Sequence, residues 1–320
     1  MEALKYAQLI VMRLFSISVV LFNAPSPIYG GGTIQGAMQF SDISNEVGIH
    51  YQHITGAFLV ERKNENGTTH FEESRFMPET MGSGIVLFDY DNDNDLDIFI
   101  NNSSSFAPNE KDTSPSQLAL YENMGGWKFK NRSKKLEKIQ HLKHGMGAIA
   151  ADYDGDGYQD LLITGLGGPK LYKNIKAQYF KDVSHSVGIS PAYWQDNRGY
   201  EGLTWSTGAV FFDVDDDLDL DLLVINYVKW SPEADIYTTY DAVNKGYTSP
   251  RSYEGTEPQL FIQNKGVFKE KKNFLDSPTN LKGKSLGVAL WDFNQDNQLD
   301  VVIANDTCLL YTSPSPRDRG

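Results

Sequence analysis

Cysteine is almost missing from this chain: Cys308 stands alone among 320 residues. A disulfide framework is therefore excluded. Clustered positive charge is missing too. With 29 basic against 42 acidic residues the formal charge is −13, which argues against nucleic acid as a partner. No apolar run has the length of a bilayer; the longest stretch, over 14–22, is too short for a spanning helix. Amphipathic helical periodicity is absent between the strand-like runs, which argues against alternating strands and helices. Gly-x-Ser-x-Gly, P-loop and zinc-helix motifs are all absent, and no catalytic constellation is recognised. The histidines at 50, 53, 70, 141, 144 and 185 read as ordinary surface or core residues; His50 and His53 are the pair to consider as ligands.

What the sequence has is aspartate, in four places. LFDYDNDNDLDIFI (87–100), AADYDGDGYQDLLITG (150–165), FFDVDDDLDLDLLVIN (211–226) and LWDFNQDNQLDVVIAN (290–305) together hold 18 of the 42 acids. The remainder would have 24 acids against 29 bases, so the acidity belongs to four loops and not to the surface at large. Like charges this close repel, and a folding polypeptide needs a reason to gather them.

The four stretches align without gaps. Counting the first aspartate as position 1, positions 1, 3, 5 and 9 are Asp89, Asp91, Asp93 and Asp97 in the first loop. They are Asp152, Asp154, Asp156 and Asp160 in the second, and Asp213, Asp215, Asp217 and Asp221 in the third. In the fourth they are Asp292, Asn294, Asp296 and Asp300. Alternate side-chain oxygens with a backbone carbonyl near position 7 suit a hard cation, and Ca2+ suits so flexible a set better than magnesium. About four calcium sites are expected. Position 6 is Asn94, Gly157, Leu218 or Asn297; Gly and Asn tolerate a left-handed turn, and Leu218 is the poor fit.

An EF-hand has helices on both sides and a bidentate Glu at position 12. Here position 12 is Ile100, Ile163, Val224 or Ile303, and the flanks are β-branched and aromatic. The unit is strand, calcium loop, strand. It recurs with first aspartates at 89, 152, 213 and 292. A second motif recurs with it: QFSDISNEVGI (39–49) matches YFKDVSHSVGI (179–189), with weaker copies at 128–139 and 267–275. LYENMGGWKF (120–129), LYKNIKAQYF (171–180) and LFIQNKGVF (260–268) each read as strand, turn, strand. About four short strands per sixty-residue repeat predict an all-β fold, a partial (open) β-propeller of about four blades.

These repeats resemble the FG-GAP or VCBS type, the calcium-loop blades of integrin α-subunit propellers and of many bacterial extracellular proteins. ETMGSGIVLFDYDNDNDLDIFINN (79–102), NYVKWSPE (226–233) and YTSPRSYEGTEPQLFIQN (247–264) resemble more narrowly the ASPIC and UnbV family, which includes cartilage acidic protein. The resemblance spans roughly 39–307. Relatives often carry a cysteine pair where this sequence has Thr238 and Thr248, and the C-terminal domain that gives the family its name is not in this sequence.

Residues 1–36 read as a signal peptide and leader, with Lys5 and Arg13 ahead of the apolar core, so export to an extracellular or periplasmic location is expected without stable membrane insertion. Residues 37–307 read as the blades of an incomplete ring. The tail 308–320 resembles translated sequencing-adapter read-through and is expected to be non-native, Cys308 with it. The last blade would then lack outer strands, and the propeller would be truncated at its C-terminal end. Function is expected to be binding of an extracellular protein or glycan. The alternative is the propeller portion of a calcium-dependent polysaccharide lyase or other extracellular hydrolase. That alternative requires a cleft where basic and aromatic side chains converge, and the residues to inspect are Lys229, Trp230, Tyr237, Tyr240, Tyr247, Arg251 and Tyr253. Glu72, Glu73 and Glu79 are further candidates for a binding face.

Overall fold

A computed structural model describes residues 41–63, 66–104, 106, 118–139, 142–239, 244–274, 283–293, 295 and 298–306. The expected leader and tail, His141, Tyr240, Asn294, Asp296, Asn297 and Cys308 lie outside the described residues. The protein divides into two units, Met1–Asp42 and Ile43–Gly320, and every strand among the described residues belongs to the second.

A hairpin comes first, β1 (Leu59–Lys63) and β2 (Thr69–Glu73). The first sheet follows: β3 (Gly84–Phe88), β4 (Asp97–Asn101), β5 (Leu118–Asn123) and β6 (Phe129–Asn131). The second holds β7 (Gly145–Ala151), β8 (Asp160–Gly165), β9 (Lys170–Ile175) and β10 (Tyr179–Asp182). After a hairpin of β11 (Tyr193–Gln195) and β12 (Glu201–Leu203) come β13 (Ser206–Phe212) and β14 (Asp221–Asn226). A short pair, β15 (Thr238–Thr239) and β16 (Lys245–Gly246), precedes β17 (Gln259–Asn264) and β18 (Val267–Lys271). Last are β19 (Ser285–Trp291) and β20 (Asp300–Asn305).

Three sheets are four-stranded meanders, ordered β3-β4-β5-β6, β7-β8-β9-β10 and β13-β14-β17-β18, and β19-β20 is a fourth, two-stranded one. The pairing is antiparallel throughout and none of the sheets closes on itself. The register repeats. The position-9 aspartate always pairs with the residue just before position 1: Asp97 with Phe88, Asp160 with Ala151, Asp221 with Phe212, Asp300 with Trp291. All four aspartate loops are therefore hairpin connections of one length, as the gapless alignment requires.

The apolar runs after the first three loops are continuous because both faces of these strands are covered, whereas β20, after the fourth, is partly exposed along its length. β8 and β14 are buried at every residue. Phe88, Phe99 and Leu120 pack against Leu161, Ile163 and Phe180 between the first and second sheets. Leu162 and Leu171 pack against Leu222, Val224 and Phe261 between the second and third. Phe212, Leu223 and Leu260 meet Val288 and Leu290 of β19. The first strands of successive sheets run side by side, and glycine makes that approach possible. A Cβ on Gly84 would stand 2.6 Å from the Met146 carbonyl oxygen and 2.7 Å from the Gly147 Cα.

The second motif is structural as well. Ser44–Val47 forms one helical turn, and the Ile49 and Ile189 amides each bond the carbonyl five residues back, at 2.8 Å. Both turns end in a left-handed glycine, Gly48 and Gly188 with φ 87° and 89°, seated on the carbonyl of an outer-strand phenylalanine, Phe129 or Phe268. A side chain would collide with that backbone.

At the end of the sheets away from the aspartate loops, the insertions build their own core. Met77, Phe106, Trp205, Tyr227, Val228, Trp230 and Tyr253 are buried there, with Phe58 and Phe76 packed against them. Trp230 is thus core and not part of an open surface, and its indole N–H donates to Asp235 at 2.9 Å. Thr238 and Thr248, at the positions where the resembled family often carries cysteines, stand side by side with their hydroxyls 2.9 Å apart.

Candidate metal centres

Each aspartate loop is shaped by its own carboxylates. Position 1 accepts two backbone N–H groups, from positions 5 and 6. Asp89 takes Asp93 and Asn94 at 3.1 and 2.9 Å, Asp152 takes Asp156 and Gly157 at 3.0 and 2.8 Å, and Asp213 takes Asp217 and Leu218 at 3.2 and 2.9 Å. Position 5 accepts the amide of position 7, with Asp93, Asp156 and Asp217 bonding Asp95, Tyr158 and Asp219. These turns are what short carboxylate side chains do to a backbone.

The turns need two left-handed residues, and the sequence pointed to only one. Position 6 is left-handed at Asn94, Gly157 and Leu218, with φ 71°, 90° and 74°. Position 4 is left-handed as well, at Asn92, Gly155, Asp216 and Gln295, with φ 63°, 72°, 62° and 61°. The run of Asn, Gly and Asp at position 4 was the overlooked signal. Leu218 adopts the strained conformation with its side chain in solvent.

Position 9 is the buried anchor. Asp97, Asp160 and Asp221 each accept the amide of position 2 and, on the other oxygen, an amide from the third strand: Asn123 at 2.8 Å, Asn174 at 2.7 Å and Gln263 at 2.7 Å. Those same three residues bond the position-8 carbonyl with their side-chain amides. Asn174 also reaches the Tyr90 carbonyl of the first loop at 2.7 Å, and Gln263 reaches the Tyr153 carbonyl of the second at 3.1 Å. Neighbouring loops are thereby tied together. Gln159 accepts from the Asp89 amide at 3.0 Å, and Asn92 donates to the Gly157 carbonyl at 2.8 Å.

Positions 1, 3 and 9 converge. In Asp89/Asp91/Asp97, Asp152/Asp154/Asp160 and Asp213/Asp215/Asp221, one carboxylate oxygen from each residue lies within 4.8 Å of the other two. Among the described residues these are the groups able to hold a metal. Asp93, Asp156 and Asp217, expected as equal ligands, stand outside these triads. In the fourth loop Asp300 accepts the Phe293 amide at 2.8 Å as its counterparts do; Asn294 and Asp296 are not described.

The donor set fits a hard cation on two observations. The Asp91 and Asp154 Oδ1 atoms are buried with no hydrogen-bond partner, which is costly for a carboxylate. Burial, reinforced by the neighbouring carboxylates, pushes Asp97 and Asp160 up to about 7, and Asp91 and Asp221 move the same way. A divalent ion would relieve both strains at once. The second loop carries a partial substitute of its own. Lys173 on β9 bonds the Asp154 carboxylate and lies 2.9 Å from that of Asp156.

The other candidates scatter. His50 bonds Asn45 and His53 bonds Ser83, so they do not form a ligand pair. Lys229, Arg251 and Tyr253 do come together, in a cleft of about 170 Å3 shared with Arg198, Asp196 and Glu254. There Lys229 is bonded to Glu254 at 2.6 Å and Arg198 to Asp196 at 2.7 Å. Glu72 and Glu73 line a second cleft of about 390 Å3 with His70, Phe71, Arg75 and Lys245. Glu79 is buried beside it, raised by that burial and held by Ser74. Tyr237 and Tyr247 bond Glu72 and Glu79 at 3.3 and 3.5 Å.

No family model matches the protein, and no curated protein matches it. Among solved structures it is similar to an Agrocybe aegerita lectin described as recognising non-reducing terminal N-acetylglucosamine, at a TM-score of 0.32 and 13% identity. The alignment covers 67% of this chain and 45% of the lectin, so it spans less than half of that protein. Within the described residues no helix is long and apolar enough to cross a membrane.

Proposed function

We propose that this protein is the blade array of an exported FG-GAP/VCBS-type β-propeller, resembling the ASPIC and UnbV family, whose aspartate loops each take one calcium ion. The carrying observation is the inward carboxylate oxygen of Asp91 and Asp154, buried without a partner inside a triad of acids. Calcium accepts six to eight oxygens at flexible geometry, and loops of this kind suit the weak binding of extracellular modules. Four such ions would bring the formal charge from −13 to −5. The ions serve as structure: they hold the ends of strands that carry the sheet-to-sheet core.

The proposed activity is binding of an extracellular protein or glycan at the opposite end, where the insertions gather. Exposed Phe71, Tyr237 and Tyr247 offer rings for stacking, beside Glu72 and Glu73, which Arg62 and Arg75 hold at 2.7 and 3.1 Å. The convergent cations that a lyase would need at Arg198 and Lys229 are engaged by acids, so no catalytic step is proposed. Calorimetric titration of the chelator-treated protein with calcium, alongside melting curves, tests the structural part. Saturable calcium uptake with a rise in melting temperature is expected; a melting temperature indifferent to chelator would overturn it.

A further inference from the structure

The cleft of about 170 Å3 that holds Arg251 is built from charge. Its walls come from the turn between β11 and β12 and from the insertion between β14 and β17. The sheet that carries this insertion has a neighbour packed on each face. Five of the eight lining side chains are ionised and none is aliphatic, so the cleft suits a polar ligand. Three of the five are cations and two are acids, which leaves one positive charge in a protein whose formal charge is −13.

Both acids are fully engaged in holding the walls. Asp196 accepts Arg198 Nε at 2.7 Å and the Arg198 and Tyr200 amides at 2.9 Å. Arg198 spends its other end on the Ala234 carbonyl at 2.8 Å. Glu254 accepts Lys229 Nζ at 2.6 Å and the Asn197 amide at 3.3 Å, and Lys229 also bonds the Gln195 carbonyl at 2.7 Å. Arg251 is the exception. Its amide bonds the Ser249 hydroxyl at 3.3 Å, but its exposed guanidinium pairs with no carboxylate among the described residues. Its charged neighbour is another cation. Lys284, whose ammonium group bonds the Pro250 carbonyl at 2.8 Å, is lowered by burial and by the repulsion of Arg251. Asn197 and Ser252, exposed on opposite walls, likewise have side chains without a hydrogen-bond partner among the described residues.

We propose that this cleft binds a sugar residue bearing a monoanionic oxyanion group, a carboxylate or a sulfate ester, with Arg251 on the anion and Asn197 and Ser252 on neighbouring hydroxyls. A guanidinium offers two parallel N–H groups to a pair of oxygens, the geometry both anions present. One surplus positive charge matches one negative charge, and a phosphate dianion would be repelled by Glu254. A peptide would find no apolar anchor on these walls. The proposal narrows the glycan reading above to an acidic class and gives it a second cleft; it does not rest on the calcium reading.

The test is calorimetric titration of the full chain in saturating calcium with trigalacturonate, its methyl ester, galactose 6-sulfate and triglutamate. Wild type should bind trigalacturonate or the sulfated sugar, and the better of the two identifies the anion. The neutral ester should not bind. Arg251→Ala should weaken binding by about tenfold or more, as the loss of a charged hydrogen-bond pair does. Arg251→Lys, which keeps the charge and loses the fork, should fall between the two. Four results would overturn the proposal: no binding of either anionic sugar, equal binding of acid and ester, triglutamate binding as tightly as the sugars, or an Arg251→Ala variant that binds like wild type. If binding survives Arg251→Ala and is lost in Tyr237→Ala, the ligand belongs to the Phe71 cleft, and the earlier reading stands without this one. Arg251 is exposed, so melting temperatures should be unchanged; if alanine lowers them, Arg251→Gln gives the same reading.

Discussion

The Asn174 side-chain amide donates to the Tyr90 carbonyl at 2.7 Å, and the backbone amide of the same residue donates to Asp160 at 2.7 Å. One residue thus anchors the second loop and holds the first. Asn174→Ala should destabilise the protein by about 2 kcal/mol, since the loss leaves buried acceptors unmet. It should also weaken calcium binding at both loops by several-fold, read by calorimetry. Asn174→Gln should recover much of this, because Gln263 does the same work in the third sheet. A loss confined to one site would show that the loops act independently.

Lys173 competes with any ion for the second loop. Lys173→Met should raise calcium affinity there by about tenfold, roughly 1.4 kcal/mol. In chelator the same variant should melt a few degrees lower, because Asp154 and Asp156 lose the ammonium group bonded to both. Unchanged affinity would mean that the ammonium group stays clear of the ion.

Ligand charge orders the sites. The fourth loop offers Asn294 where the others offer aspartate, so its calcium should be the weakest bound. Asp292→Ala should then raise the calcium requirement of folding less than Asp152→Ala does. The opposite ranking in calcium-dependent melting would refute the order.

His144 sits in the aromatic layer between Phe106 and Trp205, at 5.8 and 6.0 Å between ring centroids. Neither ring nitrogen has an aligned hydrogen-bond partner, with the Met81 backbone nearby and His53 adding a weak repulsion. Burial lowers it from 6.5 to about 4. A depressed folded value means that its contribution is complete above 6.5 and is lost as pH falls toward 4. That window spans about 3 kcal/mol. Asp97 and Asp160 without metal, raised to about 7, act in the opposite direction, so the reading is a difference. Urea unfolding in saturating calcium at pH 7 and 4.5 should show the wild type losing more stability than His144→Leu.

Thr238 and Thr248 are close enough to be bridged. Thr238→Cys with Thr248→Cys should oxidise spontaneously and stabilise by about 2 kcal/mol, as a short loop allows. Free thiols after air oxidation would show that the Cβ vectors diverge.

Much of this was legible because one pattern was written four times. Alternating aspartates announced turns, and in the first three sheets unbroken apolar runs announced strands covered on both faces; the fourth run, in β20, is partly exposed. Asp97, Asp160 and Asp221 could be read as equivalent because gapless spacing forces one register. Contacts between repeats were not legible. Nothing near Asn174 in the sequence points to Tyr90, 84 residues earlier. Lys173 looked like any strand lysine until the fold set it beside Asp154. Trp230 lies in a polar insertion, and its partners Phe76, Phe106 and Trp205 come from three distant segments. Leu218 stood out correctly as a misfit: the turn requires its conformation, and no packing compensates it.

A counter-ion that is covalently part of the protein cannot diffuse away. Under the calcium reading the first and third loops need an ion from outside, whereas the second has the Lys173 ammonium group beside two of its carboxylates. The second loop is then the one that keeps a cation when metal is scarce. Its neighbours are bonded to it through Asn174 and Gln263. A single lysine makes one loop unlike the others.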